Sequence, residues 1–156
     1  MESLPKLNFP AINLRGTEEN GRKIFFDKIR SLYVVLTPEE WVRQHLVSFL
    51  IDYCHAPLRS LIEEYPVEIN SMPQRADVVV VDSTGAPLIL AECKAPDVNL
   101  ANRETLKRVF EQATRYNAVL GAQYIIITNG LSHFCYLHTQ QGYQPLSQFP
   151  TLKGLL

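Results

Sequence analysis

The sequence predicts an α/β domain with a mixed β-sheet core and helices on both faces, and three features carry that reading. Stretches 37–54 and 102–121 repeat apolar residues at helical spacing. Stretches 75–82 and 88–94 are apolar runs of strand length joined by the turn-forming STGAP, which makes an antiparallel hairpin. The second helix then lies between strand-like segments 88–94 and 123–130. Strand, helix, strand is a βαβ unit, expected to be right-handed and parallel.

Taken in order, residues 1–21 carry Pro, Asn and Gly with few periodic apolar positions and read as an arm packed on a core that spans about 28–138 of a single domain, 1–156. KIFFD (23–27) and SLYVVL (31–36) read as a short hairpin. The first helix opens with Thr37 as N-cap, Pro38 at the first helical position and Glu40 where a capping box places an acid. Val42, Leu46, Phe49 and Tyr53 form its expected buried stripe, and Glu39 leads that stripe in phase. Stretch 57–70 reads as a helical turn followed by a strand around residues 67–69. RADVVVVD is apolar on both faces, as a central strand is. In the second helix Leu106, Val109, Phe110, Ala113 and Tyr116 share one side, and Gly121 suits the position just past the C-terminus. QYIIITNG and HFCYLH complete the strands.

A length of 156 residues favours one domain. The net charge of −1 supplies no global field to draw in nucleic acid, so any basic surface is local. Three cysteines without a CxxC spacing exclude a zinc ribbon or thioredoxin motif, and free thiols point to a reducing cytoplasm. His45, His55, His133 and His138 have no ligand spacing and read as structural or surface residues. No leader pattern opens the sequence and no apolar run approaches the roughly 20 residues of a membrane span.

The chemistry gathers at LILAECKAP (88–96). Alternation points Glu92 and Lys94 the same way, and a hairpin turning near Thr84 and Gly85 brings Asp77 opposite Glu92. Two carboxylates held together repel unless a cation joins them. Mg²⁺ seeks such oxygens and keeps several waters, and a coordinated water is more acidic. Lys94 beside that water could orient it, help remove its proton or offset charge on a phosphate.

Asp77 followed by Glu92-Cys93-Lys94 resembles the PD-(D/E)XK nuclease signature, with Ala76 where the signature has Pro. Gln112 and Tyr116 resemble its Q-x-x-x-Y element. TPEEWVRQ, RADVVVV, LAECKAP, QATRYN and YIIITNG, in that order, resemble the N-terminal nuclease domain of type I restriction enzyme R subunits, over about residues 28–135. The resemblance implies a restriction-endonuclease-like core and Mg²⁺-dependent hydrolysis of DNA, with Mn²⁺ able to substitute. It makes Asp77 and Glu92 metal ligands, the Cys93 carbonyl a third, and Lys94 the residue acting on water. It assigns Gln112 to supporting the site or touching DNA, with Tyr116 beside it, and an acid from the first helix, Glu39 by phase, to completing the site. Lys107, Arg108 and Arg115, with Lys94 and Arg103, could rim the site for phosphates. No GxxxxGK[ST] loop is present, so the chain is either a free-standing relative or a domain working with another polypeptide, such as a motor or specificity subunit. Members of this superfamily often pair to cut both strands, but no dimer interface is readable.

Plainer roles exist for each residue. Glu92 and Lys94 could form an intrastrand ion pair at a strand end, and Asp77 could pair with Arg75. Gln112 could bond backbone, Tyr116 could be core with its hydroxyl on a polar neighbour, and Glu39 could pair with Arg43 one turn on. The same fold could serve as a catalytically silent binding or assembly module. RNA or branched DNA as substrate is not separated from duplex DNA.

Overall fold

The computed structural model describes residues 4–154. A three-stranded antiparallel sheet comes first, from β1 (Gly16–Glu19), β2 (Arg22–Asp27) and β3 (Leu32–Val35). Helix α1 (Pro38–Asp52) follows, then β4 (Leu61–Ile69), β5 (Met72–Val81), β6 (Pro87–Cys93), α2 (Arg103–Leu120), β7 (Tyr124–Thr128), β8 (His133–Thr139) and β9 (Gly142–Leu146). The last six strands form one sheet in sequence order, antiparallel throughout except for the β6–β7 pair. That parallel pair is the expected βαβ unit, with α2 as its crossover.

Each helix covers one face. Val42, Leu46, Val47 and Leu50 of α1 pack on Val78, Val80, Ile89, Ala91 and Ile126. Val109, Ala113 and Tyr116 of α2 pack on Val79, Leu90, Ile125 and Ile127. The alternation of buried valines along β5 between these two cores is why its sequence is apolar on both sides.

Local chemistry sets the element ends. Thr37 Oγ1 accepts the Glu40 amide, as an N-cap does. Asn102 Oδ1 accepts the Thr105 amide, and Gly121 closes α2 with φ of 68°, a conformation that favours glycine. The β4–β5 hairpin turns through Asn70 and Ser71, both at positive φ, as a two-residue turn matching strand twist requires.

Several expectations are corrected. The arm over residues 1–21 contains β1, which extends the predicted hairpin to three strands. Its earlier part does pack on the core: the Asn8 amide donates to Gly130 O and Trp41 Nε1 donates to Pro5 O. β4 begins at Leu61, well before 67, and β9 was not foreseen. On α1 the buried stripe turns about one residue from the predicted phase: Glu40 and Arg43 are buried, Phe49 is half-buried, and Glu39 and Tyr53 are exposed. The helix meets polar partners at its first turn, and an apolar count is blind to those. Among the described residues no helix is long and apolar enough to cross a membrane.

Candidate active site

The face assignment of β4 and β5 switches at one place. Leu61 belongs to the α1 side, whereas Tyr65, Val67 and Ile69 belong to the α2 side, although all four share one parity. On β5, Val78 faces α1 and Ala76 faces α2, again against parity. The switch falls at Glu64 and Asp77, the two residues skipped in an otherwise continuous pairing, and Glu64 sits at φ of 55°. A left-handed glutamate is uncommon, and such strain persists only where its surroundings hold it. Asp77 therefore stands where the sheet turns over, within reach of groups on both faces.

On one side lies Glu92. Val78 pairs with Ala91, so the next step brings Asp77 and Glu92 side by side. Asp77 Oδ2 accepts the Cys93 amide at 2.7 Å. Glu92 is 3% exposed, and its Oε1 is buried without a hydrogen-bond partner. Burial, then the charge and hydrogen-bond contact of Asp77, push the Glu92 carboxyl up to about 10, which favours a protonated Glu92 near neutral pH. A divalent cation would replace that proton and satisfy the orphaned oxygen. The donor set therefore fits Mg²⁺, with Asp77 and Glu92 supplying carboxylate oxygens and waters filling the rest. No cluster of three or more His, Cys, Asp or Glu side chains arranged for a metal occurs among the described residues. The Cys93 side chain packs in the α1-side core and burial holds its thiol well above its usual range, so only its backbone carbonyl remains as a third donor.

Lys94 follows directly after β6, half-buried, its amide donating to Thr128 O. Its positive charge opposes the rise of the Glu92 carboxyl, but the two form no ion pair. Asp77 likewise makes no pair with Arg75, which is exposed. From α2, Gln112 Nε2 donates to the Tyr116 hydroxyl at 3.1 Å. Tyr116 is buried, and burial followed by the Glu92 charge raises its phenol, which sets this pair beside the carboxylates.

On the other side of Asp77 lies a network that the sequence reading missed. Arg43 Nη1 donates to Glu64 Oε1 at 2.9 Å and to the Asp77 carbonyl at 3.2 Å. Arg43 Nε donates to Glu40 Oε2 at 3.2 Å, and its Nη2 donates to Glu40 Oε1. Arg30 donates to Glu40 and to Asp27, and sits 2.8 Å from Glu63. Burial opposes ionisation of Glu40, yet Arg43 and Arg30 hold its carboxyl below the usual range. Burial and the neighbouring Asp27 push Glu63 up to about 8. A cavity of about 500 Å³ opens here, bounded by β3, the start of α1, Glu64, Asp77 and Cys93. Glu39 stands on its rim, exposed, while Glu40 is the inward acid. The Glu40 and Arg43 pair, one helical turn apart, and the Glu63-Glu64 run that breaks strand alternation were the available signals.

The proposed basic rim divides. Arg115 is exposed, and its charge reaches Tyr116. Lys107 and Arg103 line a separate cavity of about 580 Å³ with Phe110 and Tyr136, which shares no residue with the cavity at Asp77.

A family model described as type I restriction enzyme R protein N terminus (HSDR_N) matches residues 38–150. The chain belongs to that family. Among solved structures, a fragment assigned as an HsdR subunit of a type I restriction enzyme from Vibrio vulnificus YJ016 is similar at 20% identity and a TM-score of 0.58. The likeness covers 77% of this chain and 24% of that one, so the HSDR_N chain spans about a quarter of the solved Vibrio fragment's length. It shows the restriction-endonuclease-like α/β fold. A protein assigned as a nuclease of the DUF820 group from Anabaena variabilis ATCC 29413 is more distant, with 14% identity and a TM-score of 0.43 over 85% of this chain and 80% of that one. No curated protein matches.

Proposed function

We propose that this HSDR_N domain is a nuclease that hydrolyses DNA phosphodiester bonds with Mg²⁺, or Mn²⁺ in its place, within a multi-subunit type I restriction enzyme. Motor and specificity functions would reside elsewhere in that assembly. The observation that supports the reading is the buried, unpartnered Glu92 Oε1 beside Asp77. A fold has no structural reason to press two carboxyls together and leave an oxygen empty, since a desolvated acid without a partner costs stability.

In this reading Asp77 and Glu92 hold the ion, with the Cys93 carbonyl alongside. When bound, the ion supplies charge compensation on the scissile phosphate and a more acidic water. Lys94, on the same side of the strand as Glu92, orients the attacking water and neutralises charge developing on the phosphate. Gln112 holds the Tyr116 hydroxyl, which caps the α2 side of the carboxyl pair. Arg115 contacts the DNA backbone beside the site, and any contact by Lys107 falls further off, on the Phe110 and Tyr136 side of α2.

The lack of a third acid, His or Cys ligand among the described residues favours a second reading, a silent binding or assembly module. Supercoiled plasmid with Mg²⁺ or Mn²⁺ separates the two. Nicking or linearisation that disappears in Glu92→Ala and Lys94→Ala supports the nuclease. DNA binding without cleavage, equal in parent and variants, supports the module.

A further inference from the structure

A second cation position adjoins Asp77, and it is filled by the chain itself. We propose that the Arg43 guanidinium stands in place of a second divalent ion, so that the site admits one ion and excludes another. The inference rests on Asp77 and Glu92 being the holders of that one ion.

The shell around Arg43 is made of oxygens. Glu40 presents both carboxylate oxygens, Glu64 presents Oε1 at 2.9 Å, and Asp77 presents its carbonyl at 3.2 Å with Oδ1 at 4.0 Å. Two carboxylates and a backbone carbonyl hydrogen-bond the guanidinium, with a third carboxylate 4.0 Å away, an all-oxygen surround of the kind a hard cation also takes. The guanidinium never loses its charge, so the point stays occupied at every working pH. Arg43 and Glu40 are both buried, and dislodging the arginine would leave Glu40 to Arg30 alone and strip Glu64 and Asp77 of their nearest cation. Across Asp77, Glu92 has no such partner, and its Oε1 remains open. Asp77 is thus shared between a permanent cation on the α1 side and the unpaired Glu92 carboxyl toward α2. The strained backbone of Glu64 keeps its side chain on the arginine side, opposite Asp77. Arg43 touches Asp77 and is a positioning residue, fixing the ligand's backbone and capping the number of ions.

Manganese binding to the full chain tests this, by calorimetry for affinity and by electron paramagnetic resonance for the number of ions and any ion–ion coupling. The expected result is one Mn²⁺ per chain, lost in Glu92→Gln. Arg43→Gln, which keeps size but removes charge, should raise the number to two. Glu64→Gln should leave the affinity of the first ion within about twofold, whereas loss of a residue coupled to an ion costs about 10–100-fold. Two ions in the parent chain, a folded Arg43→Gln that still binds one, or a tenfold loss in Glu64→Gln would each overturn the inference. If Arg43→Gln does not fold, the parent stoichiometry and Glu64→Gln decide it. No manganese at all, or one ion that survives Glu92→Gln, would instead remove the metal reading of Asp77 and Glu92 beneath it.

Discussion

Two acid clusters flank Asp77, and the fold treats them in opposite ways. On the α1 side Glu40, Glu64, Asp27 and Glu63 surround Arg30 and Arg43; Glu63 Oε2 also lacks a hydrogen bond there, but Arg30 lies 2.8 Å from it as a counter-charge. On the α2 side Glu92 is more deeply buried than Glu40, faces another acid and has an oxygen with no partner. The first arrangement holds elements together: it ties the β2–β3 turn, α1, β4 and β5 at one point. The second gives the metal-free chain one hydrogen bond, from the Cys93 amide to Asp77, and leaves Glu92 Oε1 unpaired. The difference teaches that charge count alone does not separate scaffold from site. What separates them is whether the counter-charge is built in.

The comparison can be broken most strongly at Arg43. Arg43→Met should cost about 3 kcal/mol in urea unfolding, because buried Glu40 is left with Arg30 alone and half-buried Glu64 loses its cation. A loss below about 1 kcal/mol would mean that the α1 network does not carry the scaffold. Next, Mg²⁺ at a hundredfold excess over its Kd should stabilise the parent chain by about 2.7 kcal/mol and leave Glu92→Ala unmoved, read as thermal shifts. Equal shifts in both would place the ion away from Glu92.

A smaller effect is expected with pH. The Glu92 and Glu63 carboxyls are raised in the folded chain, to about 10 and about 8, from an ordinary value of 4.5. The folded state then binds more protons than the unfolded one above pH 4.5, so metal-free stability falls as pH rises through that window. The Glu63 contribution levels off near 8 and the Glu92 contribution only near 10. Glu92→Gln should flatten the decline between pH 5 and 8 by on the order of 1–3 kcal/mol. An unchanged slope would show that Glu92 is not the proton-holding group. Smallest of all, exposed Glu39→Gln should leave stability within about 0.5 kcal/mol. Loss of plasmid cleavage in that variant, with stability intact, would return Glu39 to the chemistry.

Much of the fold was legible in the sequence because its signals are local. Thr37, Pro38, Asn102 and Gly121 mark helix ends by their own hydrogen bonding and backbone preference. The apolar β5 and β6 segments and their turn set the register that aligns Asp77 with Glu92. Helix–strand succession then defined the parallel pair. Legibility failed where polar residues are buried. Glu40 and Arg43 look like solvent-facing charges until β4 and the β2–β3 turn bring Glu64 and Arg30 to them. The face switch at Glu64 and Asp77 is likewise a tertiary event: a left-handed glutamate has no signature in composition. Lys107 shares a helix with Gln112, but helical phase turns it toward a different cavity.

The central claim is that Asp77 and Glu92 meet to hold one divalent ion, and anomalous diffraction from crystals soaked in Mn²⁺ tests it directly. The account predicts a single peak with one carboxylate oxygen from each residue within roughly 2.0–2.6 Å. An empty seat with Glu92 Oε1 turned onto a protein donor, or a peak elsewhere, would contradict it.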